Sequence, residues 1–86
     1  MVFKKKYPNV AKILNLLVTE GKPMKAKEIH EQTGVIEKHI GSYSRRCGYI
    51  RKVINNEGVF YYVVPYEIDK AKIRLKYYKM QYGSTI

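Results

Sequence analysis

Hydrophobic residues near the start of the chain recur with the period of an α-helix. Between residues 8 and 20 they fall three and four positions apart and comprise Val10, Ile13, Leu14, Leu17 and Val18. Pro8 suits the first turn of such a helix, and Gly21 with Pro23 ends it. The pattern predicts an amphipathic helix that buries one side and serves as scaffold.

Two further helical segments follow, joined by a short turn. The first covers Ala26–Thr33 and ends at Gly34, which suits the left-handed conformation of a helix C-terminus. The second covers residues 36–47, and its predicted inward side comprises Val35, Ile40, Tyr43 and Cys47. Its other side is polar. The pair predicts a helix-turn-helix.

A hairpin and a long helix complete the pattern. Residues 49–54 and 59–64 are rich in β-branched and aromatic side chains, and the intervening Asn-Asn-Glu-Gly predicts a hairpin loop. After Pro65, residues 66–83 contain a predicted helix that begins at Glu67. Its apolar seam has spacings of three and four and comprises Ile68, Ala71, Leu75, Tyr78 and Tyr82.

The charge of the chain indicates an anionic partner. Its 86 residues suit one domain, and they carry a formal net charge of +10. Residues 38–52 contain no acidic side chain and five cations, namely Lys38, Arg45, Arg46, Arg51 and Lys52. Nucleic acid is the first candidate partner. Residues 1–8 form a predicted basic arm that either reaches a phosphate backbone or is only a solubilising terminus.

Two short motifs resemble a known superfamily. Residues 25–35, KAKEIHEQTGV, resemble the start of many microbial winged helix-turn-helix regulators, in which an Ala-x-Glu-Ile helix runs into Thr-Gly-Val. Residues 48–50, Gly-Tyr-Ile, are similar to the step into the wing. The resemblance covers residues 9–64 and implies an α+β, mainly α fold with three helices, a hairpin wing and, here, a long C-terminal helix. The composition resembles that of regulators from archaea or their viruses and plasmids.

The resemblance also implies which residues touch DNA. In such proteins the third helix enters the major groove and the hairpin touches the flanking backbone. Groove contacts then map to Lys38, His39, Ser42, Arg45 and Arg46, and wing contacts to Arg51, Lys52, Asn55 and Asn56. Ser44 stands where a leucine normally packs, so the choice between Arg45 and Arg46 as the base-reading residue stays open.

The expected function is therefore double-stranded DNA binding by a dimeric transcriptional regulator in the cytoplasm, associated with the nucleoid. One alternative is an architectural or plasmid-partition protein that coats DNA with low sequence specificity. Another is a winged helix that binds proteins and never touches nucleic acid. Residues 66–83 are the expected dimerisation helix, with the seam as interface, unless that seam folds back on the first helix.

Other chemistry is not expected. His30, His39 and Cys47 lack the spacing of a metal site, and no nucleophile–base set or phosphate loop is recognisable. We therefore predict no enzyme activity, no cofactor, no metal, no small-molecule ligand and no membrane partner. The nine tyrosines could form a stacking platform for single strands, although packing is the simpler explanation.

Overall fold

The computed structural model of the chain describes residues 8–82, with side chains as far as residue 81. Within that range the fold is α+β and mainly helical, with four α-helices and a three-stranded antiparallel sheet. The predicted basic arm, apart from Pro8, lies outside the described residues, and so does the side chain of Tyr82.

The first two helices agree with their predicted bounds. α1 spans Asn9–Glu20 and is followed by the short strand β1, Met24–Lys25, which leads into α2, Ala26–Thr33. Lys25 is a poor helix cap, but the Glu28 side chain compensates because its Oε1 accepts the Lys25 N–H at 3.2 Å. At the other end Gly34 has φ +77° and donates its N–H to the His30 carbonyl at 2.8 Å.

The third helix is shorter than predicted. In place of one helix over residues 36–47, the chain forms a 3₁₀ turn, Glu37–His39, followed by α3, Ile40–Arg45. Hydrogen bonds of the tighter i to i+3 type bound the helix, from His39 N–H to the Ile36 carbonyl at 2.9 Å and from Arg46 N–H to the Tyr43 carbonyl at 3.1 Å. Gly41 weakens the α-helix further, by about 1 kcal/mol relative to alanine.

The sheet is built around the hairpin. β2 spans Arg51–Asn55 and β3 spans Gly58–Tyr62, and the strand order is β1-β3-β2. Asn55 pairs with Gly58, so the connecting turn has two residues where the sequence predicts a four-residue loop. Lys52 pairs with Tyr61, which is buried. The side of the hairpin that carries both residues therefore borders the core.

The seam residues of the last helix that the structure describes, all except Tyr82, pack against the core of the chain itself. After a 3₁₀ turn, Pro65–Glu67, α4 spans Ile68–Tyr82 and packs against α1. Ala71 and Leu75 are 0% and 5% exposed, and Ile68 and Tyr78 are half-buried against the same core. The seam thus follows the alternative in which it folds back on the first helix. Ala71 and Leu75 are therefore not available as contacts between two chains.

One core holds these elements together. α1 supplies its centre, and α2, α3, β3 and α4 pack around it. The largest side chains with essentially no exposure are Ile13, Leu14, Leu17, Ile29 and Ile40. Because Ile40 is anchored there, α3 has a fixed rotation relative to the hairpin. The core therefore decides which side chains of α3 face outward.

Candidate nucleic-acid interface

The outer side of α3 and of the turn before it carries the residues predicted to enter a DNA groove. Ile40 and Ser44 point into the protein, with 0% and 4% exposure. Helical residues four apart share a side, so the opposite side faces solvent. All five predicted groove contacts are exposed, namely Lys38, His39, Ser42, Arg45 and Arg46. The structure brings this set together on one surface.

Arg45 and Arg46 extend toward different neighbours. The Arg46 guanidinium carbon lies 5.6 Å from the ring centroid of Tyr43, which is a cation–π contact. Arg45 lines a cleft between α3 and the hairpin, and Lys52 lines the same cleft. Arg45 is therefore the arginine that shares a continuous surface with the hairpin.

Tyr43 organises the opposite edge of α3. Its hydroxyl accepts a hydrogen bond from Asn9 Nδ2 at 3.2 Å, which ties α3 to the start of α1. The His39 ring meets the Tyr43 ring edge-on, with centroids 6.2 Å apart. The sequence predicts Tyr43 on the inward side of this helix, and the half-buried side chain does pack against the core, while it also supports His39 and Arg46. A phenol can do this because its ring packs while its hydroxyl stays polar.

Arg51 differs from the other cations in residues 8–81 because it forms an ion pair within the chain. Its Nη2 donates to Glu67 Oε1 at 3.1 Å, in the turn before α4. The pKa of Arg51 is raised by this hydrogen bond and by the charge of Glu67. The pair is partly exposed, so its contribution to stability is small. A phosphate at the predicted wing contact Arg51 would have to compete with Glu67.

The turn of the hairpin carries amide side chains. The predicted wing contacts Asn55 and Asn56 are both exposed there. Asn55 Oδ1 accepts the N–H of Glu57 at 2.8 Å, which stabilises the turn, while its amide nitrogen can still donate. Glu57 places a carboxylate in the same turn. The side chains of the turn therefore offer amide hydrogen bonds, and the Lys25 ammonium lies beside the turn at Gly58.

An exposed apolar pair lies beside Lys52. Alternate residues of a strand share a side, so Ile54 lies on the same side as Lys52, and Val59 is its partner across the hairpin. Ile54 is 68% exposed and Val59 36%. Sequence reasoning did not single out this pair. Lys52 and Ile54 lie two positions apart in a predicted strand, and this spacing could have shown that an apolar side chain lies beside the lysine.

The cleft between α3 and the hairpin is narrow, with a volume of about 80 Å³, and is lined by Gly41, Ser44, Arg45, Ile50, Lys52 and Tyr61. Gly41 allows the close approach, since a Cβ built there would lie only 3.1 Å from the Tyr61 hydroxyl. Ser44 Oγ is buried and has no hydrogen-bond partner among the described residues. Sequence reasoning missed Gly41, Ser44 and Tyr61 as members of one site.

α4 presents a second apolar stripe on the side away from α1. Ile73, Tyr77 and Met80 are 69%, 54% and 78% exposed. They lie four and three residues apart and, at about 100° per residue, on the side of the helix opposite Ala71 and Leu75. A basic groove borders this outer stripe, with Lys70 and Arg74 among its lining residues. The helix is thus apolar on two sides, and only the inner one was predicted.

His30 and Cys47 have contacts that stabilise the fold. His30 Nδ1 lies 2.7 Å from the Val35 carbonyl, which identifies Nδ1 as the protonated nitrogen donating to it. Cys47 is buried in the core. In residues 8–82 no group of three or more His, Cys, Asp or Glu side chains is arranged to hold a metal ion.

Comparison of the chain with models of protein families, with curated proteins and with solved structures finds no match. Its function must therefore be argued from its own residues. Within the part of the chain that the structure describes, no helix has both the length and the apolar character needed to cross a bilayer.

Proposed function

We propose that the chain is a winged helix-turn-helix protein that binds double-stranded DNA, with α3 in the major groove and the β2–β3 hairpin as the wing. The observation that carries the proposal is the common surface of α3 and the hairpin. Lys38, Ser42 and Arg45 are exposed on one side, and Lys52 continues that side across the cleft. The order of elements, α1-β1-α2-α3-β2-β3, is compatible with such a fold.

Within this proposal the cations divide into two roles. Arg45 and Arg46 are the candidates for base contacts, since a bidentate arginine–guanine pair discriminates by about 1–3 kcal/mol. Lys38 and Lys52 contact phosphates, which positions the protein without reading sequence. Arg51 contributes less than its charge suggests, because Glu67 already binds it.

The role on DNA is that of a transcriptional regulator or that of a protein that coats DNA. α3 spans six residues, about 9 Å of helix, so it presents few side chains to base edges. This short reading surface is the observation that favours the coating protein with low specificity. The regulator is the simpler role for a lone small domain that recognises an operator.

Footprinting separates the two roles. We expect a regulator to protect two half-sites, about 34 Å apart along the helix axis, in DNA enriched by selection for binding. A coating protein protects random and enriched DNA alike, and its protection spreads continuously as concentration rises. Equal and spreading protection on random and enriched DNA would reject the role of a regulator, while the proposal that the chain binds DNA would stand.

The dimer in this proposal uses the outer stripe of α4. Ile73, Tyr77 and Met80 are exposed on one side of the helix, and burying them in a two-fold contact removes apolar area from water. The net charge of +10 on each chain opposes this association. Added salt should therefore strengthen the dimer while it weakens DNA binding.

Ile73→Glu tests the dimer. We expect the variant to stay folded, because residue 73 is 69% exposed, and to sediment as a monomer at micromolar concentration where the wild type sediments as a dimer. Its affinity for a short duplex that holds one half-site should be unchanged. A wild type that is monomeric under the same conditions would eliminate the dimer and the paired half-sites.

A further inference from the structure

The cleft between α3 and the hairpin combines positive charge with an unused hydroxyl. Ser44 is 4% exposed, and its Oγ has no hydrogen-bond partner among the described residues. Leaving such a group unpaired costs about 1–3 kcal/mol. Ser44 is one of the residues that line the cleft, so an acceptor bound there can supply the missing partner once the enclosed hydroxyl rotates toward it.

The other polar groups of the cleft define what can bind. Arg45 and Lys52 line it from the helix and from the strand, and within the described residues neither forms an ion pair. Tyr61 adds a hydroxyl, which lies against Gly41. Two cations and two hydroxyls are hydrogen-bond donors that match an oxyanion.

The dimensions agree with this chemistry. A cleft of about 80 Å³ has room for a group with several oxygens, since a single water needs only about 10–15 Å³ by the same kind of measure. Ile50 forms an apolar wall, so part of the ligand is shielded from solvent. The opening lies between two elements that the proposed function brings against DNA.

We propose that this cleft binds one phosphodiester group of the DNA backbone, with Ser44 Oγ, Arg45 and Lys52 as its donors. This inference rests on the proposed function and makes it more specific. The bound phosphate fixes α3 at a defined depth in the groove and joins the helix to the hairpin through one ligand. Arg45 then serves positioning, and the task of reading bases passes to Arg46 and Ser42.

Ser44→Ala is the main test, because stability and binding should respond in opposite ways. Removing an unpaired buried hydroxyl should leave the unfolding temperature unchanged or raise it. Losing a hydrogen bond to a charged phosphate should weaken binding of a short duplex by about tenfold. Lys52→Ala is the second variant, and Lys76→Ala, in the groove between α1 and α4, is its charge-matched control.

Two probes identify the ligand. The first is inorganic phosphate, followed by NMR of the amides of Ser44, Arg45 and Lys52. The second is a 15-base-pair duplex, measured by fluorescence anisotropy with and without phosphate. Support consists of phosphate-induced shifts that Ser44→Ala abolishes, competition between phosphate and duplex, and a larger loss for Lys52→Ala than for Lys76→Ala.

Each contrary result has its own meaning. Equal duplex affinities of wild type and Ser44→Ala would overturn the cleft assignment and leave DNA binding intact. If inorganic phosphate shifted the amide signals but the duplex did not bind, both the phosphodiester assignment and the proposed function would be overturned. The ligand of the cleft would then be a free oxyanion. If neither inorganic phosphate nor the duplex shifted these amide signals, both the phosphate site in the cleft and the proposed DNA binding would be rejected.

Discussion

Ala71→Glu should unfold the protein or come close to it. Residue 71 is 0% exposed in the contact of α4 with α1, so a glutamate there must bury a carboxylate and displace packed atoms. Burying an unpaired charge together with overpacking belongs to the most destabilising class of substitution, and we expect a loss of about 4 kcal/mol or more in the free energy of unfolding. A domain of this size has about 4–13 kcal/mol in total. Urea denaturation followed by circular dichroism measures the change.

The control is the same new side chain two residues away. Ile73→Glu lies on the exposed side of α4 and, at a protein concentration low enough for the wild type to be monomeric, should change the free energy of unfolding by less than about 1 kcal/mol. If Ala71→Glu instead gave a folded monomer of ordinary stability, the inner seam would be an interface between chains. The packing of α4 on α1 within one chain would then be incorrect.

Replacing Arg45 and Arg46 together by alanine should reduce duplex affinity by at least about tenfold, since Arg46 loses a base contact worth about 1–3 kcal/mol and Arg45 loses a charged hydrogen bond to phosphate. Both residues are exposed, so the free energy of unfolding should change little. Fluorescence anisotropy with a 15-base-pair duplex measures the loss. Of the single variants, Arg46→Ala should alter sequence preference, and Arg45→Ala should weaken binding to all sequences.

Lys76→Ala with Lys79→Ala is the matched control for the double arginine variant. It removes the same charge from α4, where both lysines line the groove with α1. We expect the control to lose much less affinity. Equal losses for the two double variants would mean that only net charge matters, and the assignment of α3 as the DNA-contacting helix would fail.

Much of the helical layout is predictable from the sequence because local signals agree with the final packing. α2 has the predicted bounds, since Gly34 provides a strong stop and Ile29 a buried anchor. α3 was overestimated at both ends. The residues of its flanking 3₁₀ turns have helical periodicity, which does not distinguish i to i+3 from i to i+4 hydrogen bonds.

The candidate site was predictable as a set of exposed cations but not as a geometry. Arg51 meets Glu67 sixteen positions later, and no local pattern reveals such a pair. The cleft needs α3 and β2 to be placed side by side, so Ser44 looked like a misplaced core residue. The seam of α4 was identified correctly as apolar, yet periodicity alone cannot tell whether the surface that covers it belongs to the same chain or to another.

The salt dependence of duplex binding tests the central claim most directly. If three to four of the cations Lys38, Arg45, Arg46 and Lys52 each neutralise a phosphate, the logarithm of the association constant should fall with the logarithm of salt concentration with a slope of about −2.7 to −3.6 per subunit. Ile73→Glu, measured as a monomer, gives this value without the complication of dimerisation. Absence of duplex binding at low salt, or a slope near zero, would contradict the proposal that this chain binds DNA through α3 and the hairpin.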